Sequence, residues 1–270
     1  MSLASTQTKF SKGGLWAAFV LVALFLGVTM NGDDAFALNA FALQDAAQAD
    51  AQDAEQKKSV YRDDFDRELA LDWEIIRENE KNSSLKDYPG ELLIVTERGS
   101  IWEDQDNDVN APGGRVKNLY VFENKFEEDG DWQITTRLNG FQPIAASHQA
   151  GLIIYEDDEN YLKFCVQYSA RSGLTLAFNR ETNAVAEINH DRLNAAPEVV
   201  WLRVARRGDK YVAMLSTSGG EFQEIRTLAW NGKPKKVGLI AKNGGYINAP
   251  SIEARFDYFE LKQIGEEADN

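Results

Sequence analysis

Residues 148–161 read HQAGLIIYEDDENY, and the chain continues to residue 168 as LKFCVQY. The apolar run before Glu156 and the alternation after Asn160 predict two strands, and the acidic residues between them predict a hairpin loop. The second strand alternates in character, with Leu162, Phe164 and Val166 on one face and Lys163, Cys165 and Gln167 on the other. A period of two is typical of a strand with one buried face. The stretch therefore predicts an antiparallel hairpin.

The same pattern recurs on both sides of this hairpin, from Val60 onward. Further strands are predicted at Trp73–Arg77, Leu92–Thr96, Asn118–Phe122, Asp131–Asn139, Leu174–Asn179, Glu198–Arg207, Lys210–Ser216, Phe222–Leu228, Val237–Ala241 and Glu253–Leu261. Glycine-containing turn signals separate several of them, as at 207–209 and 218–220. Many short strands with regular turn signals, and no convincing long amphipathic helix, predict an all-β fold of two stacked sheets of the jelly-roll type.

The 148–161 stretch resembles the C-terminal domain of family 43 β-xylosidases and related DUF1349-type domains. In that family a Gln-Ala-Gly-Leu strand is followed by an acidic hairpin and by Asn-Tyr at the start of the next strand. Other segments fit the family in the same order, namely 117–119, 130–132, 200–203, 206–209 and 256–259. The resemblance covers about residues 60–263 and implies a concanavalin A-like (LamG-like) sandwich associated with carbohydrate. In the glycosidases this domain follows a catalytic β-propeller, for which there is no room before Val60, so their activity is not expected here.

Residues 1–42 are predicted to be an export signal peptide or an uncleaved membrane anchor. Two lysines, Lys9 and Lys12, precede an uncharged apolar run from Leu15 to Met30, and Ala-x-Ala patterns follow at 35–37 and 40–42. The run is shorter than the roughly 20 residues of a comfortable membrane span, whereas the acidic residues 33 and 34 are unusual in a signal peptide. Both alternatives predict a domain outside the cytoplasm, secreted, periplasmic or tethered by this segment, and membrane contact through this segment alone.

The remaining boundaries follow from composition. Residues 43–59 are rich in alanine, glutamine and aspartate and are predicted to be a flexible linker, because they cannot bury enough apolar surface to fold. The sandwich is predicted at residues 60–264, and residues 265–270 are predicted to be a disordered acidic tail. The single cysteine, Cys165, excludes an internal disulfide and is expected to be a small buried apolar residue.

The formal net charge of −14 argues against nucleic acid as a partner, because phosphate binding needs clustered lysine and arginine. Calcium is the one cofactor that the sequence suggests. Asp104, Asp106 and Asp108 alternate along a loop and offer hard oxygen ligands, although the loop does not fit an EF-hand. Asp64 and Asp257 form a second candidate, since the first and last strands of a sandwich often lie side by side. Acidic loops without metal, and pairing of Asp64 and Asp257 with arginines, are the alternatives.

Sugar binding requires aromatic faces together with polar groups for the hydroxyls. The polar faces of the predicted strands offer Arg137, Gln167, Trp201 and Arg203, which would form one groove if their strands were neighbours. His148 and Tyr155 are expected at its rim, together with Trp102 and Tyr161. A solvated or loop-covered sheet face is the alternative. The residues of the acidic hairpin, 157–159, are expected to be solvated rather than catalytic.

The leading functional hypothesis is therefore an exported, non-catalytic protein that binds polysaccharide or oligosaccharide, with xylan-type glycans among the candidates. A glycoside hydrolase or lyase on the same scaffold is the first alternative, and it would need two positioned carboxylates. A cell-envelope adaptor that binds other envelope proteins is the second alternative, which a large exposed apolar patch would favour.

Overall fold

A computed structural model of the chain describes residues 59–101, 114–127, 130–245 and 248–265. The predicted export segment, most of the linker, residues 266–270 and the 104–108 loop lie outside these ranges. The strands are β1 (Val60–Asp63), β2 (Glu74–Ile76), β3 (Ser83–Ser84), β4 (Leu92–Val95), β5 (Leu119–Glu123), β6 (Trp132–Asn139), β7 (Gln149–Asp157), β8 (Asn160–Ser169), β9 (Gly173–Thr182), β10 (Val185–Glu187), β11 (His190–Arg192), β12 (Val199–Arg207), β13 (Lys210–Ser216), β14 (Gln223–Ala229), β15 (Lys236–Lys242) and β16 (Glu253–Gln263). A single 3-10 turn at Glu80–Asn82 is the helical element of the described residues, which contain no helix long and apolar enough to cross a membrane.

All twelve predicted strands are present within one or two residues at most ends. Four strands were not predicted: β1, β3, β10 and β11. They are two to four residues long, too short for a period of two to be visible.

The strands form two antiparallel sheets. The first sheet has the order β14-β13-β12-β6-β16-β4-β3, and β1 pairs with the second half of β16. The second sheet has the order β10-β9-β8-β7-β15-β5-β2, and β11 pairs with β9. Long crossovers connect the sheets. As a result β15, the second-to-last strand in the chain, lies between β5 and β7. The prediction of an all-β, two-sheet sandwich is confirmed.

The hydrophobic core lies between the sheets, where the apolar faces of the alternating strands meet. Leu162, Phe164 and Val166 of β8 point into it, as the alternation predicts, and pack in one cluster with Leu202 and Phe256 of the first sheet. Their side chains are at most 2 % exposed. Burying each large apolar side chain contributes about 1.5–3 kcal/mol, so the core supplies the main stabilisation of the fold.

The glycine of the Gln-Ala-Gly-Leu strand, Gly151, is required by the close approach of β7 to β8. A Cβ atom at this position would overlap the carbonyl oxygen of Phe164. Gly151 pairs with Cys165, so two small residues sit side by side on the outer face of the second sheet. Cys165 packs there with Ile153 and Ile240 in a second, smaller cluster of buried apolar residues.

Candidate functional site

The outer face of the second sheet carries an unusual set of buried polar side chains. The same alternation that directs Leu162 and Phe164 to the core directs their neighbours outward, and the registers of β7, β8, β9 and β15 align these neighbours in rows. One row joins Thr175, Gln167, Gln149 and Lys242. Another row pairs Asn179 with Lys163. These side chains are at most 8 % exposed although they lie outside the hydrophobic core.

A cleft of about 370 Å³ opens over these rows. Its volume is in the range of small-molecule sites, which is about 300–1,000 Å³. Its lining, among the described residues, consists of Ser100, Ser147, Gln149, Tyr161, Lys163, Gln167, Ser169, Ala170, Arg171, Asn179, Arg180, Ala186, Ile188, His190, Lys242, Gly244 and Gly245. Most of these residues have polar or cationic side chains.

A chain of hydrogen bonds crosses the cleft floor from β7 to β11. The Gln149 Nε2 atom donates to Gln167 Oε1 at 2.7 Å, and Gln167 Nε2 lies 3.2 Å from His190 Nε2. An amide nitrogen can only donate, so His190 Nε2 accepts and its proton is on Nδ1. Burial and the charge of Lys163 lower the pKa of His190, which agrees with a neutral imidazole. Gln149 Oε1 is buried and has no hydrogen-bond partner among the described residues.

The far end of the cleft is held by a buried tyrosine–glutamate pair. The Tyr161 hydroxyl donates to Glu181 Oε2 at 2.7 Å, and the Glu181 side chain is fully buried. Burial raises the pKa of Glu181 to about 7, although the Tyr161 hydrogen bond and the charges of Lys163 and Arg115 oppose this increase. Glu181 therefore takes up and releases a proton close to neutral pH.

The titration of Glu181 predicts a pH dependence of stability. The Glu181 carboxyl binds its proton more tightly in the native state than in the unfolded chain, where its pKa is the ordinary 4.5. This contribution to stability is complete below about pH 4.5 and is lost as the pH rises through about 7. In urea unfolding at a series of pH values, Glu181→Gln should remove this contribution. The wild type should therefore lose stability relative to the variant as the pH rises from 4.5 to 7. If the plots of unfolding free energy against pH are parallel for the two proteins, the prediction is wrong.

Two lysines complete the cleft floor. Lys163 on β8 and Lys242 on β15 are 5 % and 4 % exposed. Lys163 lies with its Nζ atom 5.6 Å from the centre of the Tyr161 ring. Neither lysine forms a hydrogen bond or an ion pair with a described residue. Burial lowers the pKa of both, and that of Lys242 falls well below its ordinary value.

Residues 62–262 match the family described as the β-xylosidase C-terminal concanavalin A-like domain. The chain belongs to this family. The resemblance drawn from the sequence is therefore confirmed over almost all of the predicted sandwich. A comparison with curated proteins gave no match.

Solved structures share the fold of this concanavalin A-like domain. The GH43 BlXynB protein from Bacillus licheniformis is 24 % identical with a TM-score of 0.62, covering 77 % of this chain and 40 % of that chain. The xylan β-1,4-xylosidase from Bacillus halodurans C-125 is 20 % identical with a TM-score of 0.59, with the same coverage of 77 % and 40 %. GH43B of a Bacteroides ovatus xyloglucan PUL is 20 % identical with a TM-score of 0.57, covering 75 % and 39 %. The chain thus spans about two fifths of each of these proteins.

The four residues of the predicted sugar groove do not all come together: three lie on paired strands of the first sheet, and the fourth lies on the second sheet. Arg137, Trp201 and Arg203 lie on β6 and β12 of the first sheet, whereas Gln167 lies on β8 of the second sheet. The expectation of one groove was wrong because polar faces alternate in the same way in both sheets, and the alternation does not tell which sheet a strand joins. Of the predicted residues, Gln167 and Tyr161 line the cleft.

On the outer face of the first sheet, arginine side chains lie against the aromatic rings. The guanidinium of Arg137 lies 5.2 Å from the Trp201 ring centre, and that of Arg203 lies 3.6 Å from the ring centre of Phe222. Arg62 covers Tyr258 in the same way, at 3.9 Å. These rings already carry cations on one face, which reduces the aromatic surface available to a pyranose. This face fits the loop-covered alternative better than an open groove.

Two of the predicted rim residues, His148 and Tyr155, are bound to other parts of the chain. His148 is fully buried, and its Nδ1 atom accepts from the backbone nitrogens of Ile144 and Ala145 at 3.3 and 3.4 Å. Burial lowers the pKa of His148. The Tyr155 hydroxyl donates to Asp158 at 2.9 Å, and Asp158 in turn accepts two hydrogen bonds from Arg77. Neither His148 nor Tyr155 lines the cleft, while Trp102 lies outside the described residues.

The carboxylates of the second calcium candidate are each paired with an arginine. Asp64 lies 2.6 Å from Arg62, and Asp257 lies 3.0 Å from Arg137. Strand β1, which ends one residue before Asp64, pairs with β16, which contains Asp257, as the sequence suggested. Among the described residues no group of three or more histidine, cysteine or acidic side chains could hold a metal ion. Calcium at Asp104, Asp106 and Asp108 stays a prediction, because these residues lie outside the described ranges.

Sequence reasoning missed most of the cleft. Lys163 was placed on the polar face of its strand, but no signal indicated that it would be buried. Gln149, His190 and Lys242 join it only through the strand order of the second sheet. Cys165 lies beneath them fully buried, and burial raises the pKa of its thiol to about 11, as expected for an inert apolar residue.

Proposed function

We propose that this concanavalin A-like protein binds polysaccharide or oligosaccharide in the cleft of its second sheet, without covalent chemistry and outside the cytoplasm. The observation that carries the proposal is the cleft itself. It combines amide, hydroxyl and cationic groups, which bind sugar hydroxyls, and Tyr161 belongs to its lining. Family membership supports it, because related domains occur in a GH43 protein and in a xylan β-1,4-xylosidase.

The absence of acidic groups from the described lining favours binding over hydrolysis. Glycoside hydrolysis requires a pair of carboxyl groups that flank the scissile bond. The lining contains no aspartate or glutamate within the described ranges, and the nearby Glu181 is bound to Tyr161. Within the described lining, a glycan would therefore meet donors and cations rather than an acid and a nucleophile. Export rests on residues 1–42 and stays part of the proposal.

The experiment is retention of the full chain on a glycan array and on insoluble polysaccharides, followed by analysis of soluble products. Retention without products is the expected result. Release of products that persists after purification to homogeneity would replace the proposal by a hydrolase or lyase. Failure to bind any glycan would leave an adaptor that binds envelope proteins as the better account.

A pair of variants tests which sheet binds the glycan. Gln167→Leu keeps the side-chain volume but removes the amide that joins Gln149 to His190, so glycan affinity should fall about tenfold, the equivalent of one good hydrogen bond. Trp201→Ala on the first sheet is the matched control and should change affinity less than about twofold. Titration of the best array hit measures both. Loss of binding in the Trp201 variant alone would move the site to the first sheet.

A further inference from the structure

The cleft is cationic in a protein that is strongly acidic. The whole chain has a net charge of −14 and 43 aspartates and glutamates. The described lining contains Lys163, Arg171, Arg180 and Lys242 and no acidic side chain. A second hollow shares Arg171 and His190 with the cleft and adds Arg192 beyond them. Arg180 is already paired with Glu187 at 2.7 Å, so the excess positive charge of the described lining rests on Lys163, Arg171 and Lys242. This local reversal of charge attracts an anion to the cleft of an otherwise acidic protein.

The two floor lysines are the decisive groups. Each is more than nine-tenths buried, and neither forms a hydrogen bond or an ion pair with a described residue. Burial of an ammonium group without a counter-charge is costly, by several kcal/mol in real proteins. Lysine is almost never buried in this way unless it is paired. Two such lysines in one cleft, without a counter-charge among the described residues, therefore favour an anionic ligand there.

The described neighbouring side chains supply only part of the negative charge that two lysines need. Cys165 lies close enough to interact with both lysines, but burial raises the pKa of its thiol to about 11, so the thiol is neutral at physiological pH. Glu181 interacts with Lys163, yet its carboxylate accepts the Tyr161 hydrogen bond and its pKa is raised to about 7. Lys163 and Lys242 also disfavour each other's charge, and a bound anion would offset both penalties.

We propose that the ligand of the cleft is an anionic saccharide, whose carboxylate or sulfate group is bound by Lys163 and Lys242. Lysine ammonium groups form strong charge-assisted hydrogen bonds with such oxygens. The unpaired Oε1 atom of Gln149 and the Gln167 amide beside it lie on the same floor and would bind neighbouring hydroxyls. The inference rests on the proposed function and specifies the chemical class of its ligand.

The test compares saccharides that differ only in charge. A xylo-oligosaccharide bearing glucuronic acid is titrated calorimetrically into the full chain, together with the same oligosaccharide after reduction of its carboxyl group to an alcohol. A sulfated oligosaccharide of the same length forms a third arm. We expect the acidic or the sulfated ligand to bind at least about tenfold more tightly than the neutral one, as for a charge-assisted hydrogen bond, and the stronger of the two identifies the anion.

Variants assign this preference to the lysines. Lys163→Met and Lys242→Met each keep an unbranched side chain and remove the charge, and each should reduce the acidic-to-neutral ratio to within about twofold. Lys210→Met removes one charge from an exposed position on the first sheet and should leave the ratio unchanged. Equal binding of all three ligands by the wild type, or an unchanged ratio in the double methionine variant, would overturn the inference while leaving glycan binding intact. Failure of all three ligands to bind would overturn the proposed function and the inference together.

Discussion

Replacing Asp63 with alanine is expected to lower the free energy of unfolding by about 3–5 kcal/mol, the range for breaking a buried charged network. The Asp63 side chain is fully buried at the end of β1. Its carboxylate accepts hydrogen bonds from the backbone nitrogens of Phe65, Ala70 and Leu71 at 2.9, 2.8 and 3.2 Å. It also accepts one from Trp73 Nε1 at 2.8 Å. Alanine would leave these donors without an acceptor.

The effect should be large because these bonds fix the crossing from the first sheet to the second. Residues 64–73 lead from β1 in the first sheet to β2 in the second. Trp73 packs between the sheets, with its ring centre 5.0 Å from that of Phe259 and 6.1 Å from that of Tyr120. Without Asp63, residues 64–73 and the Trp73 ring lose the hydrogen bonds that fix their positions.

Guanidinium chloride unfolding of the wild type, Asp63→Ala and Asp64→Ala measures the effect. Asp64 is the matched control, because it is the adjacent aspartate, is 56 % exposed and pairs only with the partly exposed Arg62 among the described residues. Its removal should cost less than about 1 kcal/mol. Equal losses in the two variants would show that the network around Asp63 does not anchor the crossing.

The fold was predictable from sequence because most strands are long enough to display their own pattern. In β8 Leu162, Phe164 and Val166 alternate with polar or small residues, and all three belong to the core between the sheets. In β6 the core residues Trp132, Ile134 and Leu138 follow the same alternation, with Thr136 as the one polar member of that face. The strands β3 and β10, with two and three residues, contain too few positions for a pattern. They are strands because longer neighbours offer them backbone partners, which is a tertiary effect.

The site was less predictable because it depends on strand order. Gln167 and Lys163 belong to the hairpin from which the fold was predicted. The prediction that they share one face of their strand was correct. Lys242 is about 80 residues away in the chain from either of them and becomes a neighbour only because β15 pairs with β7. Arg137 and Trp201 show the same polar alternation in the first sheet. The pattern of a strand therefore gives the face of each residue but not the sheet to which it belongs.

The burial of Lys163 and Lys242 leads to the second large effect, which has the opposite sign. Lys242→Met and Lys163→Met are each expected to raise the free energy of unfolding by about 1–3 kcal/mol, because methionine fills the space of the stem without a buried charge. Burial lowers the pKa of both lysines, because their environment disfavours the charged ammonium form. Lys210→Met, at an exposed position, should change stability by less than about 0.5 kcal/mol. Urea unfolding at neutral pH provides the comparison.

The sign of this change separates a structural role of the lysines from a ligand-binding role. If the methionine variants are less stable than the wild type, the ammonium groups contribute to folding and their burial needs no ligand. If the variants are more stable and have lost the preference for acidic saccharides, the wild type retains two destabilising charges whose benefit is realised only in the complex. Such a trade-off between stability and activity is common at functional sites. An anionic ligand should then stabilise the wild type more than the methionine variants, because it binds only the folded state and supplies the counter-charge that the cleft lacks.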